Sequence, residues 1–301
     1  MISVIIPHFN QPDHLARCLD SLVDQTVAGH DVEIIVVDNN SRTLPEAVVA
    51  AFPDVRLISE TEAGPGLARN TGVAACTGDI LAFIDADCIA HPGWLSAIAT
   101  RIAAGQQILG GDVRIHHRDA TRPTVWEAYE SEFAYRMEYY IRDQGFTGTG
   151  NLAMTRAVFE DVGPFGGIGI AEDRDWGQRA SAKGYVTTWA PDMRADHPAR
   201  ESFAELARKW DRQTGHDFEM YMARPQGRIK WLIRSLAMVV SPLATLPRIL
   251  RSTRINGGLT GRFKAFAGLT AIRAHRSRRM LGLALTGRST SLSNRWREDE
   301  T

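Results

Sequence analysis

The first ninety residues alternate short apolar runs with segments in which apolar residues recur every three or four positions. Four apolar runs have the length of a β-strand, and they lie at residues 2–6, 33–37, 55–59 and 80–84. Helical periodicity lies between them, at residues 13–22, 45–51 and 66–75. This βαβαβαβ order predicts an α/β fold with a mainly parallel, doubly wound sheet that carries helices on both faces.

Acidic residues follow two of these predicted strands. Asp38 ends the second, and Asp85-Ala86-Asp87 directly follows the fourth. The carboxyl ends of parallel strands share one edge of the sheet, where ligands bind, and carboxylate oxygens there suit Mg²⁺ or Mn²⁺ carrying substrate phosphates. An isolated Asp-x-Asp also occurs in turns and solvated loops, so the pair gains meaning only from its neighbours.

Those neighbours form an ordered set of motifs. In chain order they are Pro7-His8-Phe9-Asn10, Asp38-Asn39-Asn40-Ser41, Gly64-Pro65-Gly66 with Arg69 and Gly72, Asp85-Ala86-Asp87, and Ala171-Glu172-Asp173-Arg174-Asp175-Trp176. The succession resembles the family 2 glycosyltransferases of the GT-A fold, over roughly residues 1 to 200. The resemblance implies a Rossmann-like enzyme that moves a sugar from a nucleotide-sugar to an acceptor hydroxyl with inversion, using Mg²⁺ or Mn²⁺ as cofactor.

The donor side implied by the resemblance combines several motifs. Its members are Pro7, Phe9, Asp38, Arg69, Asp85 and Ala86. Asp38 is expected to accept a hydrogen bond from the base, although an Asx-turn with the two following asparagines would also explain it. Arg69 is expected to neutralise phosphate from a helix start, and a surface arginine is the alternative. Asp85 is expected to contact the ribose.

Two residues are expected to bind the cation. The resemblance implies that Asp87 binds a divalent cation bridging the two phosphates, which would neutralise the departing nucleoside diphosphate. His197 resembles a third metal ligand found in part of the family. A histidine before a proline is equally consistent with a loop residue whose ring is hydrogen-bonded.

Asp173 is the predicted general base. An inverting transfer needs a carboxylate on the acceptor side, and crowding with Glu172 and Asp175 would raise the proton affinity of at least one of the three. The alternative is a plain helix start, because acidic residues are favoured in a first turn. The predicted acceptor-binding residues are Gly150, Asn151, Glu172 and Trp176, and a buried Trp176 that supports the helix is the alternative for that residue.

Other function classes fit less well. A nicotinamide or flavin enzyme is not expected, because the glycines follow the third strand and Arg69 stands where the third glycine of the fingerprint belongs. A nucleotidyltransferase would place a phosphate-binding loop rich in glycine and lysine after the first strand, which this chain lacks. A retaining transferase on the same fold stays open, and a non-catalytic sugar-binding protein is disfavoured by intact Asp85, Asp87 and Asp173.

The zero net charge hides two oppositely charged parts. Residues 1–223 hold 32 acidic and 19 basic side chains, whereas residues 224–301 hold 3 acidic and 16 basic ones. We therefore predict a catalytic domain over 1–223, with a nucleotide-binding half (1–100) and an acceptor half (101–223), and a basic, amphipathic, helical tail over 224–301. Residues 231–247 are apolar but contain Arg234 and two prolines, so they are expected to lie in an anionic membrane surface rather than cross it.

The tail and the cysteines set the expected location. An oligomer contact or a contact with the acidic body is the alternative to membrane, and nucleic acid is not expected because no recognition motif accompanies the arginines. Three cysteines without ligand spacing indicate neither disulfides nor zinc. We expect a cytoplasmic protein, peripheral to the inner face of the membrane, that uses a UDP-sugar donor and a lipid-linked glycan acceptor of surface polysaccharide biosynthesis.

Overall fold

The computed structural model describes residues 1–168 and 171–287 of the chain. Two compact units are present. The sheet unit consists of Met1–Arg114 and Tyr135–Pro198, and the helical unit consists of Ile115–Ala134 and Ala199–Thr301. The part of the predicted tail at residues 288–301 lies outside the described residues.

Eight strands form one sheet in the order β3-β2-β1-β4-β7-β6-β8-β5. In chain order, β1 to β8 are Ile2–His8, Val32–Asp38, Val55–Ser59, Ile80–Ile84, Ile89–Ala90, Ile108–His116, Asn151–Thr155 and Thr187–Pro198. The first four strands are parallel neighbours, as the sequence predicted. Strand β7 runs antiparallel to both β4 and β6, and β5 runs antiparallel to β8. The sheet is therefore mixed rather than mainly parallel, because the βαβ alternation stops after β4.

Twelve helices accompany the described strands. In chain order, α1 to α12 are Pro12–Val23, Glu46–Val49, Pro65–Ala75, Trp94–Ala103, Val125–Phe133, Met137–Gln144, Arg156–Val162, Glu172–Ala182, Phe203–Met222, Gly227–Ala244, Leu246–Arg251 and Gly258–Thr286. The three helices predicted in the first ninety residues are confirmed as α1, α2 and α3, with ends that differ by one or two residues.

Strand β4, which precedes Asp85 and Asp87, is buried on both faces of the sheet. All five of its residues are buried, and alternate side chains enter two different hydrophobic cores. Ala82 and Ile84 pack with Leu19 and Trp94, whereas Phe83 packs edge-on against Phe165 on the other face. A strand buried on both faces is an apolar run without alternation, which is how β4 reads in the sequence. Asp85 and Asp87 therefore follow a strand that is buried on both faces.

The helical unit does not begin at the predicted boundary of residue 224. Helices α5 and α9 lie before that residue, yet they share a core with α12 that includes Tyr129, Leu206 and Leu269. A second core joins Trp231 of α10 to Phe218 of α9 and Met280 of α12. In its described part, up to residue 287, the tail is helical, but its helices bury part of their apolar surface against α5 and α9, so this part belongs to a larger unit.

Candidate functional site

Arg69 links two of the predicted acidic residues at the carboxyl end of β4. Its guanidinium is 2% exposed and donates from Nη2 to Asp85 Oδ1 at 2.6 Å and from Nη1 to Glu172 Oε1 at 3.3 Å. Arg69 reaches this position because α3 packs closely on the sheet, where Gly72 lies against Ile5 and Val37. The surface-arginine alternative is therefore wrong. Glu172 lies beside Asp85 and Arg69 at the start of α8.

Asp87 and His197 are the second pair that the fold brings together. His197 Nε2 lies 3.1 Å from Asp87 Oδ2, and Asp87 Oδ1 is buried without a hydrogen-bond partner among the described residues. His197 Nδ1 lies 2.6 Å from the carbonyl oxygen of Pro198, which can only accept, so Nδ1 carries a proton. In the contact with Asp87, Nε2 is the donor, and loss of that proton gives the neutral tautomer with a lone pair on Nε2 that a metal-binding histidine requires.

The two side chains also shift each other's pKa in opposite directions. Burial by itself would raise the pKa of Asp87, but the charge and hydrogen bond of His197 lower it below the usual value. Burial would lower the pKa of His197, but the charge and hydrogen bond of Asp87 raise it. Asp87 is therefore ionised at neutral pH and able to bind a cation. Within the described ranges no third His, Cys, Asp or Glu side chain completes a metal-binding cluster.

Asp173 has the environment expected of a base. It lies in the first turn of α8, and its Oδ1 accepts a hydrogen bond from the backbone N–H of Arg174 at 2.7 Å. Partial burial and the neighbouring charge of Glu172 raise the pKa of Asp173 above the usual value, although the charge of Arg69 opposes them. Helix α8 has Glu172, Asp173 and Asp175 in its first turn, so the helix-start alternative for these acidic residues stays open.

Asp38 has a partner that the sequence analysis missed. In the parallel register of β1 and β2, His8 lies opposite Asp38, and His8 Nδ1 is 2.9 Å from Asp38 Oδ1 with both side chains buried. His8 Nε2 accepts from the backbone N–H of Gln11, so Nδ1 is the donor to Asp38. The other oxygen of Asp38 accepts from the backbone N–H of Ser41 at 3.0 Å. Strands β1 and β2 have equal length and end in His8 and Asp38. This match in length was the sequence signal that could have revealed the pair.

The remaining donor-side predictions differ in exposure. Pro7 and Phe9 are half-buried at the end of β1. Ala86 is 4% exposed and belongs to the core below the sheet edge, so only its backbone is available to a donor. Gly150 lies beside Asp85, where a Cβ atom would stand 2.2 Å from Asp85 Oδ2, and no larger residue fits between them.

Two acceptor-side predictions are wrong. The side chain of Asn151 is fully buried, with Nδ2 donating to the carbonyl oxygens of Asp112 and Met193 and Oδ1 accepting from Trp94 Nε1. It joins neighbouring strands and cannot reach a sugar. Trp176 is 2% exposed and donates from Nε1 to the carbonyl oxygen of Gly163, so its ring supports α8 instead of stacking on an acceptor.

Helix α10 presents a continuous apolar surface, which we call the apolar face. Its residues are 37% to 65% exposed and comprise Ile229, Leu232, Ile233, Leu236, Val239, Val240 and Leu243. By length and composition alone, the helical stretch Gly227–Arg251 is the one among the described residues that could cross a membrane. It is longer than the sequence analysis allowed, because α11 follows α10 directly.

Arginines of the predicted basic tail are largely tied to acidic residues of the same unit. Arg248 pairs with Glu132, Arg279 with Asp211, and Arg234 with Asp217 at 3.0 Å. These carboxylates come from residues 1–223 in the chain but fold with the tail. For these three arginines the structure therefore shows a contact with acidic residues of 1–223, which was the alternative to a membrane contact.

Comparison with known proteins identifies the class. The model of "Glycosyl transferase family 2" matches residues 3–163. Glycosyltransferase AglE of Haloferax volcanii is 34% identical over 228 residues, which are 73% of this chain and 74% of AglE. Succinoglycan biosynthesis protein ExoO of Rhizobium meliloti is 38% identical over 36% of this chain and 31% of its own length. The mannosyltransferase PcManGT from Pyrobaculum calidifontis, solved in complex with GDP-Man and Mn²⁺, matches with a TM-score of 0.58 and 19% identity over 95% of this chain and 87% of its own.

The structural likeness defines a GT-A fold followed by a helical region. The chain belongs to glycosyltransferase family 2 and is a glycosyltransferase. The resemblance seen in the sequence is thereby confirmed, and the roles of the individual site residues are proposals.

Proposed function

We propose that this enzyme is an inverting, metal-dependent transferase that uses a nucleotide-sugar donor. The observation that carries the proposal is the pairing of Asp87 with His197, because a buried carboxylate oxygen without a hydrogen-bond partner among the described residues and an adjacent imidazole Nε2 are a donor set for Mg²⁺ or Mn²⁺. PcManGT was solved with Mn²⁺ and a nucleotide-sugar, which agrees with this assignment. With two protein ligands, the cation would take its other oxygens from donor phosphates and water.

The residues then divide the chemistry between them. Asp173 takes the proton of the acceptor hydroxyl as that oxygen attacks the anomeric carbon. The bond from this carbon to the diphosphate breaks, and the diphosphate leaves with the electron pair. Asp87 and His197 would hold a cation, which would supply neutralising charge to the departing diphosphate. Arg69, held by Asp85 and Glu172, adds positive charge on the donor side of the same edge.

Asp38 is the proposed contact for the nucleotide base. His8 and Ser41 each occupy one lone pair of its carboxylate, and each oxygen keeps capacity to accept from a base N–H. A uracil base offers such an N–H, and UDP-sugars are our proposed donors by resemblance to the family. PcManGT was solved with GDP-Man, so the choice of base requires measurement.

The proposed acceptor is a lipid-linked glycan of a surface polysaccharide, handled at the cytoplasmic face of the membrane. The apolar face of α10 supports this proposal, since between Trp231 and Leu246 Arg234 is the sole charged residue and it pairs with Asp217. Lys230 and Arg251 bracket this stretch with exposed positive charge that suits anionic headgroups. The name of ExoO, a succinoglycan biosynthesis protein, agrees with a role in polysaccharide synthesis.

Calorimetry with UDP-, GDP- and dTDP-sugars in the presence of Mn²⁺ tests the proposal. We expect one nucleotide class to bind, with binding lost in excess chelator and weakened at least tenfold in the Asp87→Asn variant. The matched control is Asp20→Asn, at an exposed position of α1, which should bind as the wild type does. Donor binding that survives in chelator and in Asp87→Asn would refute the metal site, and analysis of the product anomer would refute inversion if configuration is retained.

A further inference from the structure

Tyr135 contacts the same nitrogen of His197 that the proposed metal site uses. Its hydroxyl lies 2.8 Å from His197 Nε2, and the two ring centroids are 4.6 Å apart with an angle of 36° between their planes. When His197 is neutral, the form that can bind a cation, Pro198 accepts the proton of Nδ1, and Nε2 accepts from the hydroxyl of Tyr135. The lone pair that a cation needs is therefore engaged.

The backbone at Tyr135 supports a specific role for this contact. Tyr135 has φ of +47°, in the left-handed region. Only three other non-glycine residues in the described ranges have positive φ, and two of them are the asparagines Asn10 and Asn40. Asparagine tolerates this conformation, whereas a bulky aromatic residue adopts it only where its surroundings enforce it. Tyr135 lies between the end of α5 and the start of α6, and there it turns its ring onto His197.

We propose that Tyr135 is a positioning residue whose hydroxyl caps His197 Nε2 and must be released before that nitrogen binds a cation. This inference rests on the proposed metal site. The ring of Tyr135 packs against the imidazole and keeps it directed at Asp87, while the hydroxyl competes with the cation for the lone pair. The cap therefore makes cation binding alone unfavourable and favours binding together with the donor diphosphate, whose oxygens add further ligands.

Because the hydroxyl competes with the cation, the proposal predicts the direction in which its removal changes the cation affinity. Tyr135→Phe keeps the ring and removes the hydroxyl, so the free protein loses a hydrogen bond that the loaded protein does not have. Loss of one neutral hydrogen bond corresponds to about fivefold tighter cation binding. A purely structural role predicts the opposite, because disturbing the ring of a ligand loosens the site.

Mn²⁺ binding measured by electron paramagnetic resonance, which counts free Mn²⁺, tests the proposal without any assay of activity. We compare the full-length wild type, Tyr135→Phe, Asp87→Asn and the control Tyr139→Phe, which removes the hydroxyl of a 39% exposed tyrosine on α6. Tyr135→Phe should bind Mn²⁺ about fivefold more tightly than the wild type, and Tyr139→Phe should equal the wild type. The ¹⁵N signal of His197 Nε2, assigned by its absence in His197→Ala, should also shift in metal-free Tyr135→Phe.

The outcomes separate this inference from the metal site itself. If Asp87→Asn weakens Mn²⁺ binding but Tyr135→Phe equals the wild type or binds more weakly, the cap is refuted while the metal site survives. If Asp87→Asn binds as the wild type does, the metal site fails and the cap fails with it. Absence of binding to both the wild type and Tyr135→Phe also refutes the cap, because removal of the hydroxyl should expose the site.

Discussion

Asp173 combines partial burial with a neighbouring negative charge, and this combination suits a general base. Replacing it with asparagine removes the basic oxygen but keeps the size of the side chain. We expect Asp173→Asn to lower kcat by about 10²- to 10⁴-fold while donor affinity changes less than twofold, because the residue acts on the acceptor proton. Steady-state kinetics together with donor calorimetry measure both quantities. A comparable loss of donor affinity would assign Asp173 to the donor site instead.

The raised pKa of Asp173 also predicts how kcat depends on pH. Burial, followed by the charge of Glu172, raises that pKa, so the carboxylate takes up its proton at a higher pH than the ordinary value of about 3.9. A base works only when deprotonated, so kcat should fall with decreasing pH and reach its half-value above about 3.9. The residual activity of Asp173→Asn should lack this acidic limb. The matched control is Asp175→Asn, whose carboxylate pairs with Arg179 at 2.9 Å and should keep the limb.

At the scale of single residues, the sequence predicted the position of the acidic residues at the sheet edge better than it predicted the residues that contact them. Asp85 and Asp87 lie at the sheet edge because they follow strand β4, and Arg69 joins Glu172 to Asp85. Tyr135 could not be predicted, since its contact with His197 joins residues 62 positions apart and depends on a left-handed residue between two helices. Asn151 and Trp176 were misassigned because a polar or aromatic residue near glycines can bind a ligand or be buried in the core. The local sequence is the same in both cases.

Helix α3 carries Arg69, and its approach to the sheet depends on a glycine. A Cβ atom at Gly72 would lie 2.4 Å from Ile5 Cγ2 and 3.1 Å from Val37 Cγ2. These β-branched strand residues have little freedom to move. Gly72→Ala should cost about 1–3 kcal/mol by overpacking, against about 1 kcal/mol gained in helix propensity, so net destabilisation is expected. Displacement of α3 should also weaken donor binding through Arg69.

Urea unfolding measures the stability change, and the chain supplies a control with the opposite sign. Gly282 lies in α12, and a Cβ atom added there would meet nothing within 4 Å. Gly282→Ala should therefore raise stability by up to about 1 kcal/mol through helix propensity alone. Equal effects of the two substitutions would show that the contact of Gly72 with Ile5 does not limit the packing of α3.

The elements of the parallel half follow from sequence periodicity, whereas the antiparallel half does not. Strands β1 and β4 are buried on both faces and read as uninterrupted apolar runs. Strands β6 and β8 include glycines or charged residues, such as Gly110 and Asp192, and pair with partners distant in the chain. Their pairing depends on tertiary packing rather than on local pattern, and for this reason a mainly parallel sheet was predicted where a mixed one formed.

On the scale of the whole molecule, the two structural units carry net charges of opposite sign, as do the parts of the sequence before and after residue 224. The helical unit, counted over its full sequence, holds 22 basic and 12 acidic residues, and the sheet unit holds 13 basic and 23 acidic ones. Acidic residues such as Glu132 and Asp217 lie within the basic unit and pair with its arginines. Positive charge is thus partly neutralised inside the unit, so in the proposed membrane contact we expect the apolar face of α10 to contribute more than charge does.

Vesicle sedimentation with two substitutions on the apolar face tests this ranking. Ile233 and Leu236 are 63% and 62% exposed, so Ile233→Glu with Leu236→Glu should leave the fold intact. Because this face supplies the hydrophobic term, we expect the double variant to stay in the supernatant with vesicles of mixed anionic and zwitterionic lipid. The wild type should sediment, and high salt should weaken its binding only in part, since salt screens only the charge term. Val186→Glu, at a 75% exposed position of the sheet unit, is the control and should sediment like the wild type. Unchanged sedimentation of the double variant would exclude α10 as the membrane contact. If the wild type is a dimer and the double variant is a monomer, the apolar face is assigned to self-association instead.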